Sequence, residues 1–163
     1  MLVLGIDPGT ATTGYGLVED GDPLEMVACG VITTPAGTPL PERLLAIHRQ
    51  LSEVIRSYQP EAVAVEELFF SKNVRTAMSV GQARGAVLLT AAQAGLTVYN
   101  YKPAEIKQAV TGYGSASKKQ VQEMVRLLLG LDEAPAPDDV ADAVAIAICH
   151  LHALQVMQQF QEE

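Results

Sequence analysis

Acidic residues stand in this chain where a folding sequence ordinarily avoids charge. Asp7 and Glu66 each end a short apolar run, and Asp139 and Asp142 lie one helical turn apart in an otherwise apolar segment. Carboxylates that are buried together repel one another and lose hydration, so a fold rarely gathers them without a cation. The pattern therefore predicts a site for a hard, oxygen-seeking cation such as Mg²⁺ or Mn²⁺.

Each acid taken alone also has an ordinary structural explanation. Asp7 suits a turn, and Glu66 suits the solvated end of a strand. Asp138 or Asp139 suits the N-cap of a helix that follows a proline, and Asp142 suits its first turn. The spacing does not choose between Asp138 and Asp139, because both share a helix face with Asp142. The four acids together are less well explained in this way.

Hydrophobic periodicity predicts an α/β fold. The predicted strands cover residues 2–6, 14–18, 26–33, 62–66 and 96–101, and the predicted helices cover about 41–58, 75–94, 103–110, 117–130 and 138 onward. A capping box of Ser117 and Gln120 begins the fourth helix. The order β-β-β-α-β-α-β-α-α-α predicts a five-stranded mixed sheet flanked by helices. Strands 1–3 are antiparallel and strands 4 and 5 parallel.

The length and composition of the chain favour one soluble domain. We expect residues 1–163 to form one body. We expect no membrane partner, because no apolar run looks long enough to span a bilayer and no signal peptide is evident. Cys29 and Cys149 do not make a disulfide framework, which predicts buried, reduced thiols in a cytoplasmic protein. His150 and His152 lack ligand spacing relative to the acids.

The charge is unevenly distributed along the sequence. The net charge of −8 argues at first sight against a nucleic-acid partner. Residues 68–131, however, hold eight basic and two acidic residues, whereas the remainder holds three basic and seventeen acidic ones. A stretch of +6 inside a chain whose remainder is −14 indicates a local anion-binding face. Basic residues scattered on exposed helices would give the same count.

The motifs resemble those of RuvC, the family of bacterial Holliday-junction resolvases, over nearly the whole chain. The matching stretches are Gly5-Ile6-Asp7-Pro8-Gly9, Gly14-Tyr15-Gly16, Val65-Glu66-Glu67-Leu68-Phe69, Lys72-Asn73, Gly81-Gln82-Ala83-Arg84-Gly85, Val110-Thr111-Gly112-Tyr113-Gly114-Ser115-Ala116 and residues 139–147. The resemblance implies a ribonuclease H-like fold. It also implies metal-dependent hydrolysis of four-way DNA junctions, with two symmetric nicks that leave 5′-phosphate and 3′-hydroxyl ends. The implied partners are the branch-migration proteins RuvA and RuvB.

The resemblance also implies which acids are catalytic. The implied metal ligands are Asp7, Glu66, Asp139 and Asp142. Two Mg²⁺ ions, or Mn²⁺ in their place, would balance the four negative charges. The family pattern favours Asp139 over Asp138, which becomes a helix cap, and Glu66 over the adjacent Glu67.

The implied DNA-binding residues lie in the basic stretch. They are Phe69, Lys72, Lys107, Lys118 and Lys119. Lys107 and Lys118 match basic family positions near the active site, and Lys119 suits a second phosphate contact. Phe69 matches a family position and suits stacking on an unpaired base, whereas the adjacent Phe70 suits packing inside.

Two symmetric nicks require two active sites, which predicts a homodimer with two-fold symmetry. The helix near residues 75–94 is rich in small residues and suits close approach at that interface, although it equally suits a core helix. The small residues are Ala77, Gly81, Ala83, Gly85 and Ala86.

Other functions share parts of this pattern. The segment from Gly5 to Thr10 resembles the first phosphate loop of actin-like ATPases, but those proteins need two lobes and this chain supplies one. A second alternative is a different ribonuclease H-like nuclease, of the YqgF type. The Phe69 loop and the lysines at 107–119 argue against it. A non-catalytic junction-binding module would have no need of four acids.

Overall fold

A computed structural model describes residues 1–68 and 73–161. The strands are β1 (Leu2–Asp7), β2 (Thr12–Glu19), β3 (Glu25–Thr33), β4 (Ala62–Glu66) and β5 (Thr97–Tyr101). The helices are α1 (Leu40–Tyr58), α2 (Val74–Gln93), α3 (Pro103–Thr111), α4 (Lys118–Leu128) and α5 (Asp138–Gln161). Each predicted element is present, and its ends agree with the prediction to about two residues.

The five strands form one mixed sheet in the order β3-β2-β1-β4-β5. β1, β2 and β3 pair antiparallel, whereas β4 pairs parallel with β1 and with β5. The predicted division into an antiparallel and a parallel half is therefore confirmed. β1 lies at the centre and is buried from Leu2 to Ile6, because helices cover both faces of the sheet.

Two apolar clusters lie on opposite faces of the sheet. Leu4, Ile6 and Val65 pack with α1 and α2 on one face, whereas Val3 and Ala64 pack with α3, α4 and α5 on the other. The alternation follows from the two-residue period of a strand. Both faces of β1 and β4 are thus apolar, and each strand becomes acidic only at its last residue.

Helix α5 packs unusually close to β1 and β2. A Cβ atom added to Gly5 would lie 2.0 Å from the carbonyl oxygen of Ala143, and one added to Gly14 would lie 2.1 Å from the carbonyl oxygen of Asp139. These glycines are needed because the helix backbone occupies the space of a side chain. The close approach places the first turn of α5 directly over the ends of β1 and β2.

The length of the apolar stretch in α5 differs from what the sequence analysis predicts. By length and composition α5 is apolar enough to cross a membrane, so the expectation that no segment reaches that length is wrong. In the folded chain 61% of the apolar stretch is buried, from Val140 to Leu151 almost completely. A helix that is apolar on all sides belongs in the core, and α5 lies there between the sheet and the pair α3 and α4.

The two cysteines have different environments. Cys149 is buried as expected, but Cys29 is exposed, contrary to the expectation of two buried thiols. The reason is that β3 is an edge strand of alternating burial, with one face open to solvent. His150 is buried, and its Nδ1 lies 2.6 Å from the hydroxyl of Tyr101.

The small residues of α2 divide between two environments. Ala83 is fully buried and Ala86 packs against the core on the same sheet face, so both serve packing. Ala77 is also buried and lines the cavity of Asp7 and Glu66. Gly81 and Gly85 lie on the outer side, where an added Cβ at Gly85 would meet nothing within 4 Å.

Adding a methyl group at Gly14 should displace Asp139. Gly14→Ala should lower the Tm, because the obstacle is the helix backbone and cannot turn away. At Gly16 the nearest obstacle is the side chain of Val144, 2.4 Å from the added carbon. The Tm of Gly16→Ala should therefore recover partly when Val144→Ala is added. Equal recovery of Gly14→Ala by Val144→Ala would contradict this account.

Candidate active site

Two strands and one helix bring the four predicted acids to one edge of the sheet. Asp7 and Glu66 end β1 and β4, which are neighbouring parallel strands, so both carboxylates leave the sheet at the same edge. Asp139 and Asp142 lie in the first two turns of α5, which crosses that edge. The i, i+3 spacing turns both side chains to the same side of the helix.

Three of these carboxylates form a compact group. Asp7, Asp139 and Asp142 each offer one oxygen, and the three oxygens lie within 4.8 Å of one another. Glu66 stands outside this group of three. It lines a cavity of about 280 Å³ with Asp7 and a second cavity of about 250 Å³ with Asp142. Glu66 thus lies where the two cavities meet.

The acids raise one another's pKa. Burial, followed by the charges of Asp142 and Asp139, raises the pKa of Asp7 to about 8. Burial and the charge of Asp142 raise the pKa of Glu66, although Lys107 opposes the shift. Burial also raises the pKa of Asp142, against the opposing charge of Lys118. The carboxylates are therefore not neutralised by the bases around them, and a cation between them would relieve the repulsion.

Threonines at the start of β2 support the acids, and the sequence analysis did not identify them. The hydroxyl of Thr12 donates a hydrogen bond of 2.6 Å to Oδ2 of Asp139. The buried hydroxyl of Thr13 donates to the carbonyl of Gly9 at 2.7 Å and accepts from its amide at 3.2 Å, which fixes the turn that follows Asp7. Threonine is common in strands, so only the fold separates these two from the others.

The neighbouring acids Asp138 and Glu67 are held elsewhere. Asp138 accepts a hydrogen bond of 3.0 Å from Gln122 and lies 3.4 Å from the ammonium of Lys118, so it faces α4. The backbone N–H of Glu67 donates to the carbonyl of Tyr101 and continues the pairing of β4 with β5. Glu67 nonetheless lines the cavity that contains Asp7.

The predicted basic residues separate into two places. Lys107 and Lys118 line the cavity of Glu66 and Asp142, and the Nζ atom of Lys118 lies 3.4 Å from Oδ2 of Asp142. Lys119 points away into a groove of about 580 Å³ beside Tyr113. Phe69, Phe70 and Lys72 lie outside the described residues.

Comparison with known proteins identifies the family. The family model "Crossover junction endodeoxyribonuclease RuvC" matches residues 3–150. A relative of that name from Chloroflexus aggregans is 60% identical over 161 residues, covering 98% of each chain. Another from Desulfitobacterium hafniense is 59% identical over 160 residues, covering 98% of this chain and 97% of the relative. The chain belongs to the RuvC family.

A solved RuvC structure has the same fold. The structure described as T. thermophilus RuvC in complex with Holliday junction substrate superposes with a TM-score of 0.91, at 43% identity and 96% coverage of both chains. The sheet and helices described above are therefore the ribonuclease H-like fold of RuvC. Family membership makes the chain a nuclease, a hydrolase that acts on DNA. RuvC nucleases are metal-dependent, and the donor set of clustered carboxylates fits a hard divalent cation.

Acidification should stabilise the metal-free protein through Asp7. Its pKa is 3.8 ordinarily and about 8 in the fold, so the folded state holds the proton more tightly. The resulting stabilisation is complete below the unfolded pKa and is lost as the pH rises through about 8. In EDTA, the Tm of the wild type minus that of Asp7→Asn should fall steadily from about pH 5 to about pH 8. The burial of His150 lowers its pKa in both proteins and cancels in the difference. Parallel Tm curves would contradict the raised pKa.

Removing the Thr12 hydroxyl should weaken metal binding with little effect on the fold. Thr12→Val keeps the shape but leaves Asp139 without its hydrogen bond. Loss of a group that orients a metal ligand typically lowers metal affinity by about 10- to 100-fold. The Mg²⁺ concentration for half-maximal cleavage should rise by that factor. The control is Thr33→Val, at the exposed residue that pairs with Thr12 on β3. Equal Mg²⁺ dependence of the two variants would show that Thr12 does not position Asp139.

Proposed function

We propose that this nuclease resolves Holliday junctions by in-line hydrolysis of DNA phosphodiesters, with two symmetric nicks that leave 5′-phosphate and 3′-hydroxyl ends. The observation that carries the proposal is the group of three carboxylates at the sheet edge, in a chain of the crossover junction endodeoxyribonuclease family. The T. thermophilus relative, which has the same fold, was solved with a Holliday junction substrate. Hydrolysis at such a site needs no nucleophilic side chain.

Asp7, Glu66, Asp139 and Asp142 are the proposed metal ligands and catalytic residues. Their four negative charges match two divalent cations, for which we propose Mg²⁺ with Mn²⁺ as a substitute. When bound, these cations supply the charge that activates the attacking water and stabilises the leaving 3′-oxygen. Support for the assignment comes from the pKa values of Asp7, Glu66 and Asp142, which burial raises first and the neighbouring carboxylates raise further.

Protonation of Asp7 and the side chains around the acids affect metal loading and DNA contact at this site. Asp7 must lose its proton before it can act as a ligand, and its pKa of about 8 makes loading depend on pH. Thr12 holds Asp139 in one orientation. Lys118 is 56% exposed, so its ammonium is free to leave Asp142 for a DNA phosphate. Lys107 lines the same cavity and is proposed to contact the DNA near the bond that is cut.

Further DNA contacts are proposed around this centre. Lys119, in the groove beside Tyr113, lies beyond the acidic cavity and suits a phosphate farther along the strand. Phe69 is proposed to stack on a base that is unpaired at the crossover, and Lys72 to contact a nearby phosphate. Leu68, the last described residue before this segment, lines the cavity of Asp7 and Glu66.

A homodimer is proposed to present two such sites to the junction. The outer side of α2 carries exposed apolar side chains at Val74, Met78 and Leu89, which are 70%, 60% and 57% exposed. Gly81 and Gly85 lie between them on the same side of the helix. An exposed apolar stripe with glycines at its centre suits close contact with the same helix of a second chain. RuvA and RuvB as partners, a cytoplasmic location and a single domain complete the proposal.

The test is cleavage of a synthetic four-way junction in Mg²⁺, with linear duplex as the control substrate. Asp139→Asn should abolish cleavage and preserve junction binding, because binding depends on basic residues and shape. Asp7→Asn, Glu66→Gln and Asp142→Asn should behave in the same way.

Asp138→Asn is the matched control, since Asp138 is adjacent and faces α4. It should retain most of the activity, as should Glu67→Gln. An inactive Asp138→Asn with an active Asp139→Asn would overturn the ligand assignment. Equal cleavage of junction and duplex by the wild type would overturn the proposed substrate.

A further inference from the structure

Arg84 lies at the edge of the acidic centre. It stands on α2, is half-buried, and lines the cavity of about 280 Å³ together with Asp7, Glu66 and Glu67. Among the described residues its guanidinium forms no ion pair with any of these carboxylates. Its Nη2 atom donates instead to the side-chain oxygen of Asn100, a neutral amide that follows β5 residue Tyr99.

The hydrogen bonding of Arg84 is incomplete. Its Nε atom is buried, and it has no hydrogen-bond partner in the described part of the chain. A buried donor without an acceptor is unfavourable, and a guanidinium offers five donors in a rigid fork. A purely structural arginine in a cavity with three carboxylates would be expected to pair with one of them. Arg84 therefore brings to the cavity a positive charge that forms no ion pair with a described carboxylate.

The basic groups flank the acids on both sides. Lys107 and Lys118 line the cavity on the α4 side, whereas Arg84 lines the cavity on the α2 side. Glu66 and Pro103 line both cavities, so the two adjoin at these residues. A DNA strand with its scissile phosphate at the acids would pass from one group of basic residues to the other.

We infer that Arg84 binds a backbone phosphate of the cleaved strand, next to the phosphate at the acidic centre and on its α2 side. This inference rests on the proposed function. The planar fork of a guanidinium suits two oxygens of one phosphate. The carboxylates around Arg84 repel a free anion, but a DNA strand that is already bound at the acids is held near Arg84 in spite of this repulsion. Asn100 orients the guanidinium without neutralising it.

The competing explanation is a tie between α2 and β5 through the bond from Arg84 to Asn100. Two variants separate the explanations. Arg84→Gln removes the charge but keeps hydrogen-bonding ability, and Asn100→Asp gives Arg84 a carboxylate partner. A phosphate contact is weakened by both changes. A structural tie is weakened by the first change and strengthened by the second.

The measurement is binding of a synthetic four-way junction in EDTA, by fluorescence anisotropy over a range of salt concentrations. Arg84→Gln and Asn100→Asp should each weaken binding by about 10- to 100-fold at low salt. Each should reduce the slope of log affinity against log salt by roughly one, while the Tm of Asn100→Asp stays equal or rises. The control is Arg56→Gln, at an exposed arginine on α1 that pairs with Glu53, and its salt slope should match the wild type.

Unchanged salt slopes for both variants would overturn the inference. A raised Tm and normal binding for Asn100→Asp, with a lowered Tm for Arg84→Gln, would assign Arg84 to the structural tie and overturn it as well. Failure of the proposed function looks different, because the wild type itself would then bind junction no better than linear duplex.

Discussion

Helix α5 lies so close to β1 and β2 that no side-chain carbon fits between them at Gly5 or Gly14. Everything at the acidic centre depends on this contact. It brings the helix that carries Asp139 and Asp142 within a few ångströms of the end of β1, where Asp7 stands. Larger residues at the glycines would lift the helix away, and the carboxylates would separate into ordinary solvated acids. The close packing of α5 on the sheet therefore also determines the geometry of the acidic centre.

The centre is held together against its own electrostatics. Apolar burial on both faces of the sheet forces Asp7 toward the other acids, and the raised pKa of about 8 measures how unfavourable its ionised form is there. Thr12 and Lys118 reduce this cost locally, through a hydrogen bond to Asp139 and a charge near Asp142. Neither removes this electrostatic cost, because Lys118 is largely exposed and lies as close to Asp138 as to Asp142. The site is prepared for positive charge that the chain does not itself supply.

Sequence patterns predicted the elements and the acidic edge well, because both follow from local rules. Short apolar runs identified the strands, and the acids that end two of these runs identified one edge of the sheet. The sequence left Asp138 and Asp139 equivalent, since both share a face with Asp142. The structure separates them through Gln122 and Lys118 on α4, a contact between distant segments. Thr12 was missed for the same reason, because its partner is 127 positions away.

Exposure was the least predictable property. Cys29 is exposed because β3 lies at the sheet edge, and α5 is almost completely buried from Val140 to Leu151 because that part of the helix lies in the core. Strand order and layer position decide both, and neither is a property of the segment itself. The same holds for α2, where Ala83 is buried and Gly85 is not, although both stand in one small-residue pattern.

The acidic centre joins residue 7 to residues 139 and 142, so its parts are synthesised at well-separated times. While a ribosome is still producing the middle of the chain, Asp7 has no partners, and a nascent or truncated chain that lacks α5 cannot gather the carboxylates. The bond between Thr12 and Asp139 forms only after that long segment closes. Any chemistry that needs these three carboxylates together is therefore absent until both β1 and α5 are in place.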